Sequence, residues 1–133
     1  MLKAQLWSDG GARGNPGPAG AGAYLLLEDG REFRLSEYLG ESTNNVAEYT
    51  GLLIGLTAAL KHKVTHIECM MDSELLCKQL QGVYKVKAEH LKPLFLELQG
   101  LLRKFQKAEV KHVRREFNKV ADALSNEAMD RGE

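Results

Sequence analysis

A short apolar run of Leu2, Ala4, Leu6 and Trp7 predicts a strand over about Lys3 to Ser8. Two further apolar segments, Ala21 to Glu28 and Arg31 to Leu39, read as strands joined by Asp29-Gly30, a strong hairpin signal. Between the first two strands, Gly10, Gly11, Gly14, Gly17, Gly20 and Gly22 crowd what reads as a wide turn. Thr43 or Asn44 then caps a long helix running to about His62. Val64 to Met71 is expected as a strand, Ser73 to Gln81 as a short helix and Gly82 to Lys87 as a loop. Ala88 to Phe105 reads as helical, with a break or restart at Pro93. Glu109 to Val113 is the last strand and Lys119 to Asp130 the last helix. No repeat, linker or low-complexity tract interrupts residues 1–133, so one α/β domain is expected.

This order of elements brings acidic residues together. A helix between the third and fourth strands implies a crossover connection. If the Val64 strand lies parallel to strand one, Asp9 and Asp72 stand side by side. Both then follow the last residue of their strands, at the carboxyl end where open α/β sheets bind ligands. Asp9 alone is equally well an ordinary strand end. On the long helix, Glu48 falls with Gly55 and Ala59 beside the apolar stripe of Leu52 and Leu56, opposite Thr50, Thr57 and Lys61. A capping-box role three residues after Asn45 explains its position in the chain. It explains less well a carboxylate facing the core, which favours function. Asp122 shares a face with Ser125 and Asn126, and the helix dipole is sufficient reason for a first-turn aspartate.

Several classes are disfavoured. The glycine-rich stretch lacks the Gly-Lys-Ser/Thr triplet of a P-loop, and a strand rather than a helix follows Pro16 and Pro18, against a dinucleotide fingerprint. Apolar content of 44% and charged content of 27% suit an ordinary globular chain rather than a disordered one. No apolar run approaches the ~20 residues of a membrane span, and no signal peptide is evident, so the cytoplasm is expected. Cys69 and Cys77 read as buried free thiols. The zero net charge is unevenly distributed: residues 1–77 carry 6 Lys/Arg against 10 Asp/Glu, whereas residues 78–119 carry 11 against 4. That asymmetry suits an enzyme holding cations in one place and a polyanion in another, although charge alone favours a solvated helix pair.

Taken together, Ser8-Asp9-Gly10-Gly11 with Gly14-Asn15-Pro16-Gly17-Pro18, Thr43-Asn44-Asn45 with Ala47-Glu48, Met71-Asp72-Ser73, and Asn118 four residues before Asp122 resemble the type 1 ribonuclease H family. The resemblance covers nearly the whole chain. It implies a mixed five-stranded sheet, three antiparallel strands followed by two parallel ones, flanked by helices. It also implies a metal-dependent endonuclease that hydrolyses the RNA strand of RNA/DNA hybrids to 5′-phosphate and 3′-hydroxyl ends. Asp9, Glu48, Asp72 and Asp122 map onto the family's carboxylates, which lifts Asp122 above a merely structural role. Asp9 would bridge two Mg2+ ions, Glu48 and Asp72 would hold one, and Asp122 the other, with Mn2+ as a substitute. Two such ions ~3.5–4 Å apart activate water and relieve charge on the leaving oxygen, and magnesium's preference for hard oxygen ligands explains the residue types.

The same resemblance places Gly10, Asn15, Thr43, Asn44, Asn45 and Ser73 at the substrate, with the RNA 2′-hydroxyl as the distinguishing feature. Helix capping is the plain alternative for Asn44 and Asn45. Tyr84, Lys85 and Lys87 fall where many members carry a longer basic protrusion, so this is a short form. Glu41 replaces an arginine, and Glu74 a glutamine, found in some members. The loop before the last helix, Arg114-Arg115-Glu116-Phe117, lacks the usual catalytic histidine in a glycine-rich turn. Arg115 is the candidate for assisting metal turnover or product release, and a solvated surface arginine is as good a reading. His112 lies in an expected strand and reads as structural. The expected partner is an RNA/DNA hybrid, with double-stranded RNA a second, and the chain is expected to be a monomer. The competing readings are a hybrid- or double-stranded-RNA-binding module with weak or no catalysis, and an integrase- or resolvase-like nuclease. The asparagine-rich substrate segment disfavours the last.

Overall fold

In the computed structural model, which describes all 133 residues, five strands form one sheet in the order β3-β2-β1-β4-β5. The strands are β1 (Lys3–Ala12), β2 (Gly17–Leu27), β3 (Glu32–Ser42), β4 (His66–Met71) and β5 (Lys107–His112). β1, β2 and β3 are antiparallel neighbours, while β4 runs parallel to β1 and β5 parallel to β4. The helices are α1 (Asn44–Lys61), α2 (Glu74–Leu80), α3 (Lys92–Leu102) and α4 (Lys119–Arg131). This is the mixed sheet that the sequence predicts.

Successive residues of a strand point to opposite faces, and β1 uses both. Ala4 and Leu6 join a buried core with Leu25, Leu27, Tyr49, Leu52, Leu56, Ile67, Met71 and Leu98 on the face covered by α1 and α3. Leu6, Leu52 and Leu56 are fully buried, each contributing on the order of 2 kcal/mol. Cys69 and Cys77 are buried free thiols in this layer, as expected. The other face carries α4, packed on β1, β2 and β3.

Several boundaries differ from expectation. The glycine-rich stretch is not a wide turn. β1 continues through Asp9 to Ala12 and β2 begins at Gly17, with Asp9 opposite Gly22 and Gly11 opposite Gly20. Glycine here serves close packing. A Cβ at Gly10 would lie 2.1 Å from the Ala47 carbonyl oxygen in α1, and one at Gly22 would lie 2.4 Å from that of Ala121 in α4. Propensity, which counts glycine against strands, could not register helices pressing on both faces.

The cap of α1 is Thr43, whose Oγ1 accepts from the Val46 N–H at 3.3 Å. Neither Asn44 nor Asn45 caps it, and Glu48 lies beyond any capping box. Pro93 opens α3 after a 3-10 turn over Glu89–Leu91, since the first turn needs no proline N–H. No helix is long and apolar enough to cross a membrane.

Candidate active site

β4 pairs with β1 only from Lys3↔His66 to Ser8↔Met71. Asp9 is therefore the first residue of β1 without a β4 partner, one step beyond the place where the sheet splits. Asp72 leaves β4 at the same level, directly after Met71. The expectation that both follow the end of their strands holds for Asp72, whereas Asp9 sits inside a strand whose parallel neighbour has ended. α1 brings Glu48 against this split from one face, where Gly51 lets the helix approach the Asp9 carbonyl. α4 brings Asp122 from the other, over Gly22 and Gly20.

All four carboxylates line one cleft of about 400 Å3, together with Gly10, Ser73, Asn44, His112 and Arg115. A larger groove of about 660 Å3 lies at the opposite end of the sheet, lined by residues including Lys3, His66, Glu68, Lys107 and Glu109. There the charges are largely paired, with Glu68 joined to Lys111 and Glu109 to Lys107. The carboxylate cleft has fewer such partners.

That imbalance shows in protonation. The Asp9 carboxyl is pushed up from 3.8 to about 8, first by burial, then by the Asp72 charge and by neighbouring Asp122. The Gly10 N–H, donating to Asp9 Oδ1 at 2.9 Å, opposes the shift. Glu48 is also raised, by burial and by Asp72, against a hydrogen bond from Ser73 that lowers it. Asp72 has Arg115 nearby, Nε to Oδ2 at 3.8 Å, but that side chain is 87% exposed and its ion pair weak.

Hard oxygen donors held together against their own repulsion are the donor set that a divalent cation such as Mg2+ would satisfy. No three acidic, histidine or cysteine side chains enclose a cation as they stand.

The other residues singled out in the sequence fall into three groups. Asn15 and Asn44 flank the cleft as a linked pair. The Asn44 N–H donates to Asn15 Oδ1 at 3.2 Å, and Asn44 Oδ1 accepts from the Ala12 N–H at 2.7 Å. Thr43 and Asn45 adjoin them at the start of α1, Asn45 exposed. Ser73 caps α2, accepting from the Leu76 N–H at 3.2 Å, and lines the cleft with Glu48. Tyr84, Lys85 and Lys87 lie apart from the carboxylates, exposed in the loop after α2, with the Lys78 ammonium 5.2 Å from the Tyr84 ring centre.

His112, read from the sequence as a strand residue with a structural role, reaches the cleft. It is in β5 as expected, yet it ends that strand at the level of Met71 and so lines the cleft. Its place at a strand's carboxyl end was the available signal. Asn126 and Arg114 also line the cleft, unanticipated.

Comparison with known proteins gives a consistent picture. Residues 7–128 match a family profile described as reverse transcriptase-like. A bifunctional protein of Mycobacterium tuberculosis is 41% identical over 131 residues, 97% of this chain and 36% of its own length. The chain thus spans little more than a third of that relative. The solved N-terminal RNase H domain of the same protein superposes with a TM-score of 0.95, covering 99% of this chain and 96% of that one. The ribonuclease HI of Halobacterium salinarum is 38% identical over 129 residues, 96% of this chain and 65% of that protein. The LC11 ribonuclease H1, crystallised in complex with an RNA/DNA hybrid, is 41% identical with a TM-score of 0.87, covering 98% of each chain.

Proposed function

The chain belongs to the type 1 ribonuclease H family, and on that footing we propose that it is an endonuclease cutting the RNA strand of RNA/DNA hybrids. The observation that carries this reading is the convergence of Asp9, Glu48, Asp72 and Asp122, from four separate elements, on one cleft.

In this reading the four carboxylates hold two divalent ions, Mg2+ by preference. Asp9, Glu48, Asp72 and Asp122 would supply the oxygen ligands, Asp9 being shared between the two ions, Glu48 and Asp72 serving one and Asp122 the other. When bound, the ions supply an activated water and charge relief at the leaving oxygen, yielding 5′-phosphate and 3′-hydroxyl ends. The chain's own part is to keep the acids in place. Burial and the Gly10 N–H orient Asp9, and α1 holds Glu48 against the sheet split.

Substrate enters over the edge of the cleft formed by Gly10, Asn15, Thr43, Asn44 and Asn45, with Ser73 beside it. The Asn15–Asn44 link preorganises that edge, so less ordering is required on binding. Tyr84, Lys85 and Lys87 offer an aromatic and cationic surface farther along the duplex. Arg115, exposed beside Asp72, assists metal turnover or product release.

The test is cleavage of end-labelled RNA/DNA, RNA/RNA and DNA/DNA duplexes with and without Mg2+. Mg2+-dependent cutting confined to RNA strands is the expected result. Binding without cleavage at any Mg2+ or Mn2+ concentration would convert the reading to a hybrid-binding module.

A further inference from the structure

Asn118 occupies the N-cap position of α4, where an asparagine ordinarily turns its side chain to the helix's own first N–H groups. Here it makes no side-chain cap bond. The side chain is turned inward instead, 1% exposed, with Nδ2 donating to the Ser8 carbonyl at 2.9 Å. Its Oδ1 is buried with no partner. An uncapped helix end and an unsatisfied buried oxygen both oppose folding, so the inward orientation calls for a reason.

Two adjacent links supply one. Ser8 immediately precedes Asp9 in β1. The Asn118 backbone carbonyl accepts the Asp122 N–H at 3.1 Å, and Asp122 lines the same cleft as Asp9. The connections run as a chain from Asp9 through the Ser8 carbonyl and Asn118 to Asp122, whose carboxylate lines the same cleft as that of Asp9. This chain of contacts spans the sheet split, where no β4 partner accompanies Asp9. Nothing in β1 or α4 alone sets the spacing of these two carboxylates.

We propose that Asn118 is a positioning residue that sets the separation of Asp9 and Asp122, tying the first turn of α4 to β1 and so tuning how tightly the pair takes a divalent cation. The proposal rests on the metal-dependent reading above. Groups that orient metal ligands typically change affinity or activity by 10- to 100-fold when removed. Asn118 acts through Asp122 and touches neither substrate nor the reacting atoms.

The experiment compares wild type, Asn118→Leu (similar in size, without the donor), Asp122→Asn and the double variant. Mg2+ binding is followed by calorimetry, and steady-state cleavage of a labelled hybrid in parallel. Asn118→Leu should weaken Mg2+ binding about 10-fold and raise the Mg2+ concentration that half-saturates cleavage, leaving KM for the hybrid unchanged. Adding it to Asp122→Asn should weaken Mg2+ binding no further, because its route is already cut. Wild-type Mg2+ affinity in Asn118→Leu would overturn the proposal, as would an equal further loss in the double variant. Should Asn118→Leu not fold, Asn118→Ala carries the test. Failure of both to fold would also overturn it, because Asn118 would then brace the fold as a whole. A wild-type chain that neither binds Mg2+ nor cuts hybrid would instead defeat the functional reading, and that result is visible before any variant is made.

Discussion

Replacing Asp9 by asparagine removes the most strongly perturbed carboxyl in the cleft while preserving its size and its acceptance of the Gly10 N–H. The native state holds the Asp9 proton far more tightly than the unfolded chain, about 8 against 3.8. A raised carboxyl costs nothing below pH ~4 and costs progressively more as pH rises toward 8, where the native proton is lost. At ~1.4 kcal/mol per pH unit the upper bound is roughly 6 kcal/mol. The cleft is open to solvent, whose screening reduces this, and we expect ~1–2 kcal/mol. Asp9→Asn should therefore make the metal-free protein more stable at pH 8, raising Tm by roughly 4–8 °C in EDTA. At pH 4 the two proteins should melt together. Added Mg2+ should raise the melting temperature of wild type much more than that of the variant, and the variant should not cut hybrid. In wild type at limiting Mg2+, cleavage should rise with pH up to about 8, because a cation must displace the Asp9 proton. Melting curves in EDTA across pH 4–9 decide the matter. A variant less stable than wild type at pH 8, or a difference independent of pH, would refute the account of Asp9 as an unneutralised charge.

Three further outcomes follow from the same geometry. Gly22→Ala should place a methyl 2.4 Å from the Ala121 carbonyl oxygen; lifting α4 should cost ~2–3 kcal/mol in urea denaturation and depress cleavage, whereas Gly30→Ala, in open space, should leave cleavage intact. Tyr49→Phe breaks the buried hydrogen bond to Gln79 between α1 and α2 and should lower stability by ~1–2 kcal/mol, with the carboxylate cleft and cleavage rate retained. Lys85→Ala should weaken hybrid binding uniformly across sequences and flatten its salt dependence by about one unit of slope; an unchanged slope in a filter-binding titration would show that the loop after α2 does not touch phosphate.

Local signals in the chain were sufficient for much of this molecule. Asp29-Gly30 marked the β2–β3 hairpin because few residue pairs accept that turn. The long apolar helix with a cap at Thr43 or Asn44, the crossover to β4, and Asp72 at the carboxyl end of its strand could all be read from periodicity and residue chemistry. What was not legible depended on neighbours distant in sequence. The glycines of β1 and β2 resembled a turn because their purpose, admitting α1 and α4 to within backbone contact, exists only once those helices are packed. Asn44 and Asn45 read equally well as helix caps, since the sequence names the polar side chain but not its direction. Only packing turned Asn118 inward to Ser8 and left Thr43 to begin α1. His112 seemed an unremarkable strand residue until the register of β4 and β5 brought it to the rim. Residue types, strand periods and turn chemistry are properties of a few adjacent side chains and are written in the sequence. The Asp9–Asp122 spacing and the raised Asp9 carboxyl arise from burial and like charge across the split sheet, and these come into being only when the chain closes on itself.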